Sequence, residues 1–196
     1  MVGSWEIKVN TSGMPQVVAS AMSALGDKLV GAEYECIAYL GEQPVNGTNY
    51  AVLAKQTVVA GRDSENIVVL VFNKKPNMPE ATLVGIERVV ESGAALGGTK
   101  INVTTDISDD LMNMWKEAFE GWLGMRITPF AFLGTQVTKG TDYIFAAEVV
   151  PVVREPKNEA VIVTINPMTK EVHMNDLLAT KQEGMLGYAF TWLKNN

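Results

Sequence analysis

One cysteine and one histidine are all that this 196-residue chain contains, and the two scarcities exclude more chemistry than any motif supplies. With Cys36 alone, no disulfide can form within the chain, which suits a reducing compartment and argues against a small bridged secreted scaffold. The same cysteine is read as a small buried hydrophobe, because a nucleophile needs a base beside it and the single base candidate, His173, stands far away in sequence. A lone histidine also removes Ser-His-Asp chemistry and histidine-based metal sites. No catalytic residue, metal site or cofactor is expected, and the chain does not read as an enzyme.

Positive charge is scarce as well. A net charge of −6 and a longest basic run of Lys74-Lys75 argue against a nucleic-acid partner, which needs clustered cations to displace counterions. No apolar run approaches the roughly 20 residues of a membrane span, and the first ten residues lack the basic start and apolar core of a secretory signal. The expectation is a soluble, cytoplasmic protein with no membrane partner. The acidic stretch 106–110 lacks the spaced oxygen ligands of a calcium loop and is read as helix-start charge. Sequons at Asn10, Asn46 and Asn102 carry little, being short enough to arise by chance.

What the chain does have is an internal repeat. "LGEQPVNGTNY" (40–50) aligns with "LGTQVTKGTDY" (133–143) at an offset of 93, with six identities in eleven positions. The offset persists. "SENIVVLVFN" (64–73) falls on "KNEAVIVTIN" (157–166), and the helix-spaced Val18, Met22, Leu25 and Leu29 fall on Leu111, Trp115, Ala118 and Trp122. Gly31 and Gly124 follow these two segments where a helix-ending glycine belongs. A shift kept over so long a stretch implies duplication of a folded unit, with units over 1–93 and 97–196 and a boundary in the Gly-rich stretch 91–100. That stretch has neither dinucleotide nor P-loop spacing, so it is read as a linker.

Each unit reads as a leading strand, a helix and four strands parted by short turns. In unit one the strand covers residues 5–9, and a helix of about four turns is expected between Ser12 and Gly31, with Pro15 just inside its start. Strands follow near 34–41, 48–60, 66–73 and 81–90. Unit two repeats the order with a helix over 108–123 capped by Ser108, and the tail 185–193 adds a strand-like segment without counterpart.

The octapeptide "QPVNGTNY" resembles the first inhibitory hairpin of the cystatin superfamily, whose pattern is Gln-x-Val-x-Gly, and its "TNY" extension points to the stefin branch. "VLVFNKKPN" (69–77) resembles the stefin strand that leads into a second, proline-bearing hairpin loop. The resemblance implies an α+β fold: two tandem cystatin-like units, each with one helix packed across a curved antiparallel sheet of four to five strands. It implies a protein partner, a papain-like cysteine protease, bound reversibly by a wedge made of an N-terminal trunk and two hairpin loops. Carried over by position, Gly3 is the trunk glycine of unit one, Gln43, Pro44, Val45, Asn46 and Gly47 form its first loop, and Lys75, Pro76 and Asn77 its second. In unit two the first loop is Gln136, Val137, Thr138, Lys139 and Gly140, with Gly97 and Gly98 as a tethered trunk. Thr138 in place of the motif's valine, and a shorter second loop, make unit two the weaker head, since burying an unpartnered hydroxyl costs about 1–3 kcal/mol. The alternative is a non-inhibitory protein-binding or scaffold module on the same duplicated frame, in which the Asn-Gly pairs only turn the hairpin.

Overall fold

The computed structural model describes residues 3–25, 29, 31–59, 64–93, 97–178 and 188–191. It separates into two compact units, Met1–Ser92 and Gly93–Asn196.

In unit one, β1 (Glu6–Asn10) leads to helix α1 (Gln16–Ser23), then β2 (Ala32–Val45), β3 (Gly47–Val58), β4 (Ser64–Lys74) and β5 (Thr82–Glu91). The strands form one antiparallel sheet in sequence order. In unit two, β6 (Thr99–Thr104) leads to α2 (Asp109–Ala118), then β7 (Met125–Thr138), β8 (Gly140–Pro151), β9 (Glu159–Asn166) and β10 (Glu171–Asp176). Here a further strand from the tail, β11 (Tyr188–Thr191), pairs antiparallel with β10 and makes the sheet six-stranded. Of the tail's aromatic row, Trp192 lies outside the described residues, as does Leu186.

The expected α+β architecture, with cystatin-like units of one helix across a four- to five-stranded sheet, is corrected by this arrangement. The described residues are mostly strand, in sheets of five and six, and their helices run only eight and ten residues. The physical reason lies in the central strands. Ala51, Val52, Leu53 and Ala54 are buried in succession, as are Ile67 to Leu70 and Phe145 to Ala147, so these strands are apolar on both faces. Strands of that kind do not alternate in-and-out as a sheet with one helix-covered face and one wet face must.

Helix α2 is shorter than its apolar spacing predicts, and in unit one a break at Ala24 interrupts the expected helix, Leu25 being helical again. The N-cap of α1 is Pro15 rather than a serine, no side chain caps it, and the helix stops at Ala24. Residues 26–28 and 30, also within the expected helix, lie outside the described residues. Ser108 does occupy the N-cap of α2, with Asp109 and Asp110 in the first turn, but its side chain makes no capping bond and the helix ends at Phe119. The helix-spaced faces do reach the cores. Val18 and Leu25 join Tyr39, Val52, Leu70 and Phe72, with Met22 and Leu29 packed alongside. Trp115 and Ala118 join Phe132, Phe145 and Ile165, with Leu111 and Trp122 alongside.

β2 and β7 are each 14 residues long and carry two register shifts at corresponding places, after Cys36 and Tyr39 and after Pro129 and Phe132. Such bulges bend a strand and sharpen its twist. Cys36 sits at the first of them and is exposed, which corrects its reading as a buried hydrophobe. Although its surface is open, enough protein surrounds the sulfur to push the thiol pKa up, away from nucleophilic character.

Beside the second shift lies Gly41 in β2 and Gly134 in β7, each with positive φ. A Cβ at Gly41 would overlap the carbonyl oxygen of Glu6, and one at Gly134 that of Lys100. The repeated "LG" therefore marks where the leading strand presses onto its neighbour. Next to it, Tyr39 is 4% exposed and its hydroxyl has no hydrogen-bond partner among the described residues. Burial, with Glu42 adding to it, pushes that hydroxyl's pKa far up. Unit two places Phe132 at the same position.

Tyr39→Phe should therefore raise stability by about 1 kcal/mol, and Phe132→Tyr should lower it by about 1–3 kcal/mol, since an unpaired buried hydroxyl costs its desolvation. Urea midpoints of the two variants against the parent chain check both signs.

Candidate functional site

The hairpin joining β2 to β3 stays paired to its end: Pro44 faces Thr48, Val45 faces Gly47, and Asn46 alone forms the tip. Gly47 has φ +101°, the left-handed conformation that closes a three-residue connection. A Cβ there would overlap the Lys74 carbonyl oxygen, so the tip lies flat against the end of β4. Beyond β4 the chain turns through Lys75, Pro76, Asn77 and Met78, closed by the Met78 amide donating to the Lys75 carbonyl at 3.2 Å. Proline at the second place of such a turn presets its backbone. Lys74 Nζ donates to the Lys75 carbonyl (3.1 Å) and to that of Met78, bracing the turn from beneath.

The N-terminal segment joins the same end. The Gly3 amide donates to the Pro44 carbonyl at 2.8 Å, and Gln43 Nε2 donates back to the Gly3 carbonyl at 2.9 Å. Gln43 Oε1 accepts from Asn49 Nδ2 (3.0 Å), and Asn49 Oδ1 accepts from Asn73 Nδ2 (2.8 Å). Three amides thus run as one oriented chain from β4 across β3 and β2 to Gly3, each polarising the next. Gln43 and Asn73 are buried, so their bonds avoid a desolvation cost that an unpaired amide would carry. At the outer edge Lys8 bonds Glu42 at 2.6 Å, which is the main reason its pKa is raised.

The residues named from the sequence therefore fall together. Gly3, Gln43, Pro44, Val45, Asn46 and Gly47 form one end of unit one with Lys75, Pro76 and Asn77, which are exposed. Gln43 faces inward as a strut, while Pro44 and Asn46 are exposed and Val45 is half-buried.

Unit two builds the same end with other bonds. Thr138 faces Gly140 across a tip formed by Lys139, and Gly140 has φ +107°. Gln136 Nε2 donates to the Gly97 carbonyl at 2.9 Å, the counterpart of the Gln43 bond. Gly98 precedes β6 and lies against Gly93. Asn166 is the hub: its Nδ2 donates to Asp142 Oδ1 (2.6 Å), and its Oδ1 accepts the amides of Met168 and Thr169 at 3.0 Å each. The Thr138 hydroxyl bonds Asp142 at 2.9 Å and is exposed. Val137 is exposed, as is Met168 on the short second loop.

Sequence reasoning missed Asn49, Asn73, Lys74, Asp142 and Asn166. Their signal was present, since Asn73 and Asn166 end matching strands 93 residues apart. Compared with family models, curated proteins and solved structures, the chain matches none. Among the described residues no helix is long and apolar enough to cross a membrane, and no cluster of three or more metal-ligating side chains occurs.

Removing the middle of the ladder with Asn49→Ala strands one acceptor and one donor, and should cost about 1–3 kcal/mol. Gly47→Ala should cost more than the roughly 1–2 kcal/mol of left-handed backbone alone, because the overlap with Lys74 adds to it. Thermal unfolding of both variants measures this, and equal midpoints for Gly47→Ala and parent would be incompatible with the tip geometry.

Proposed function

We propose that unit one is a reversible inhibitor of papain-like cysteine proteases, working without a cofactor by inserting the Gly3, Gln43–Gly47 and Lys75–Asn77 end into the active-site cleft. The observation supporting the reading is that three segments far apart in sequence meet at one end and are tied together there before any partner arrives. A pre-ordered tip loses little conformational entropy on binding, and a wedge burying about 1,600 Å² in total is of standard size for tight complexes. The "QPVNGTNY" resemblance names the cleft. Exposed Pro44 and Asn46, with half-buried Val45, supply the contact, while Gln43 and Gly47 hold its shape.

Unit two is a different and weaker head. Its tip carries an exposed hydroxyl and Lys139 where unit one carries Val45 and Asn46, and its second turn is shorter.

A non-inhibitory binding module is the second reading, and one observation favours it: the left-handed glycines at 47 and 140 are already required by packing against Lys74 and Met168. Titration of papain with the chain, read by hydrolysis of a fluorogenic peptide, separates the two. Inhibition that Val45→Asp weakens by at least about tenfold, or ~1.4 kcal/mol, with an unchanged melting temperature, is the expected result. A folded parent chain that leaves papain fully active would assign the end to another protein partner.

A further inference from the structure

Each sheet has two edge strands among the described residues, and three of the four are guarded against chance pairing by being short or by carrying lysine. β1 and β6 run five and six residues and carry the exposed Lys8 and Lys100, and β11 has four residues. β5 is the exception. Its ten residues, Thr82–Glu91, contain neither lysine nor proline, and Val84 and Ile86 along it are 59% and 43% exposed. The other large apolar side chains exposed among the described residues of unit one, Val59 and Met78, lie outside its strands.

The duplicated unit shows what such an edge takes. Leu70 and Val163 correspond across the 93-residue offset, and Leu70 faces Ile86 in β5 while Val163 faces Met174 in β10. Ile86 and Met174 therefore hold the same place. In unit two a further antiparallel strand lies beyond that place, with Tyr188 of β11 facing Met174, which is 3% exposed. In unit one β5 is the last strand of the sheet. Its outward amides and carbonyls form a template for another strand.

We propose that β5 pairs antiparallel with β5 of a second copy of this chain, about a two-fold axis at Ile86. Side chains directly opposite one another in an antiparallel pair share a face, so a two-fold axis must set one residue against its own copy. Which residue that is fixes the register. β5 runs in step with β4 from Gly85 to Arg88, between bulges at Val84 and Val89. Centring the pair on Glu87 or Arg88 sets like charges against each other, which is destabilising. Centring it on Gly85 sets Ile86 against the bulge at Val84. Centring on Ile86 pairs the regular stretch Gly85–Glu87 with itself and brings two exposed isoleucines together. A second copy suits the edge because one contact covers both unpaired strands, and an isologous contact closes at two chains instead of growing into a fibre. So short a pairing buries less than the roughly 1,200 Å² of a stable interface, which makes the dimer weak and reversible. The inference does not rest on the inhibitory reading of the hairpin end.

Sedimentation velocity of the full chain from about 1 μM to about 1 mM tests the pairing, with a shift from monomer to dimer across that range as the expected result. Ile86→Lys sets two ammonium groups against each other at the axis and should weaken association at least about tenfold, with the melting temperature of the dilute chain unchanged. Ile86→Cys on a Cys36→Ser background, oxidised with copper phenanthroline, should give a disulfide-linked dimer, and Glu91→Cys on the same background much less of it. That comparison decides the matter if the lysine variant fails to fold. A parent chain that stays monomeric throughout, or a dimer that Ile86→Lys leaves unchanged, would overturn the proposal. Equal cross-linking at positions 86 and 91 would overturn it as well.

Discussion

The hydrogen bonds that pass from Asn73 through Asn49 and Gln43 to the Gly3 carbonyl are the constraint on which the end of unit one depends. Asn49 and Gln43 each give through nitrogen and take through oxygen, so the chain has a direction and only one arrangement satisfies it. Burial makes that arrangement compulsory, because an amide left unpaired at Gln43 or Asn73 costs more than the bond itself contributes. The ladder sets Gly3 beside β2, and the glycine at 47 lets the tip lie on Lys74. From these two contacts the shape of the end follows. The other buried amides of unit one, Gln56 and Asn66, form a second such run to the Tyr34 hydroxyl.

Duplication has kept the backbone solution and changed the side chains that enforce it. The glycines at 41 and 134, and at 47 and 140, stand at equal places for equal reasons, since a carbonyl or side chain occupies the room a Cβ would need. Around them the polar support has diverged, from a ladder of three amides to a hub in which Asn166 serves Asp142 and two loop amides. Interior packing has diverged as well, with Trp115 and Phe145 in unit two where unit one has Met22 and Val52. A fold with two copies in one chain lets one copy act as a control for the other, as Phe132 does for the unpartnered hydroxyl of Tyr39.

Much of this was written locally. The 93-residue offset, the strand order and the hairpin at Asn46-Gly47 are signals that span a few residues each, and the grouping of Gly3 with the 43–47 tip comes from matching them to a known pattern. The balance of fold class was not legible in the same way. Val18, Met22, Leu25 and Leu29 have helical spacing, yet spacing does not say how far a helix runs, and α1 closes at Ser23. Nor does a single strand's composition reveal how both of its faces will be covered. Cys36 was misjudged because burial statistics ignore the bulge at which it sits. The ladder itself joins residues from 6 to 40 positions apart, which no local window connects.

The hairpin end of unit one is already assembled in the free chain. Amide hydrogen exchange at Gly3, followed by NMR on the free chain, tests it most directly, because that amide is held to the Pro44 carbonyl at 2.8 Å. Protection at Gly3 comparable to that of the β2 amides, and lost in Gln43→Ala, is the predicted result. Exchange at the rate of an unstructured chain would contradict that assembly, leaving a hairpin with a loose segment beside it.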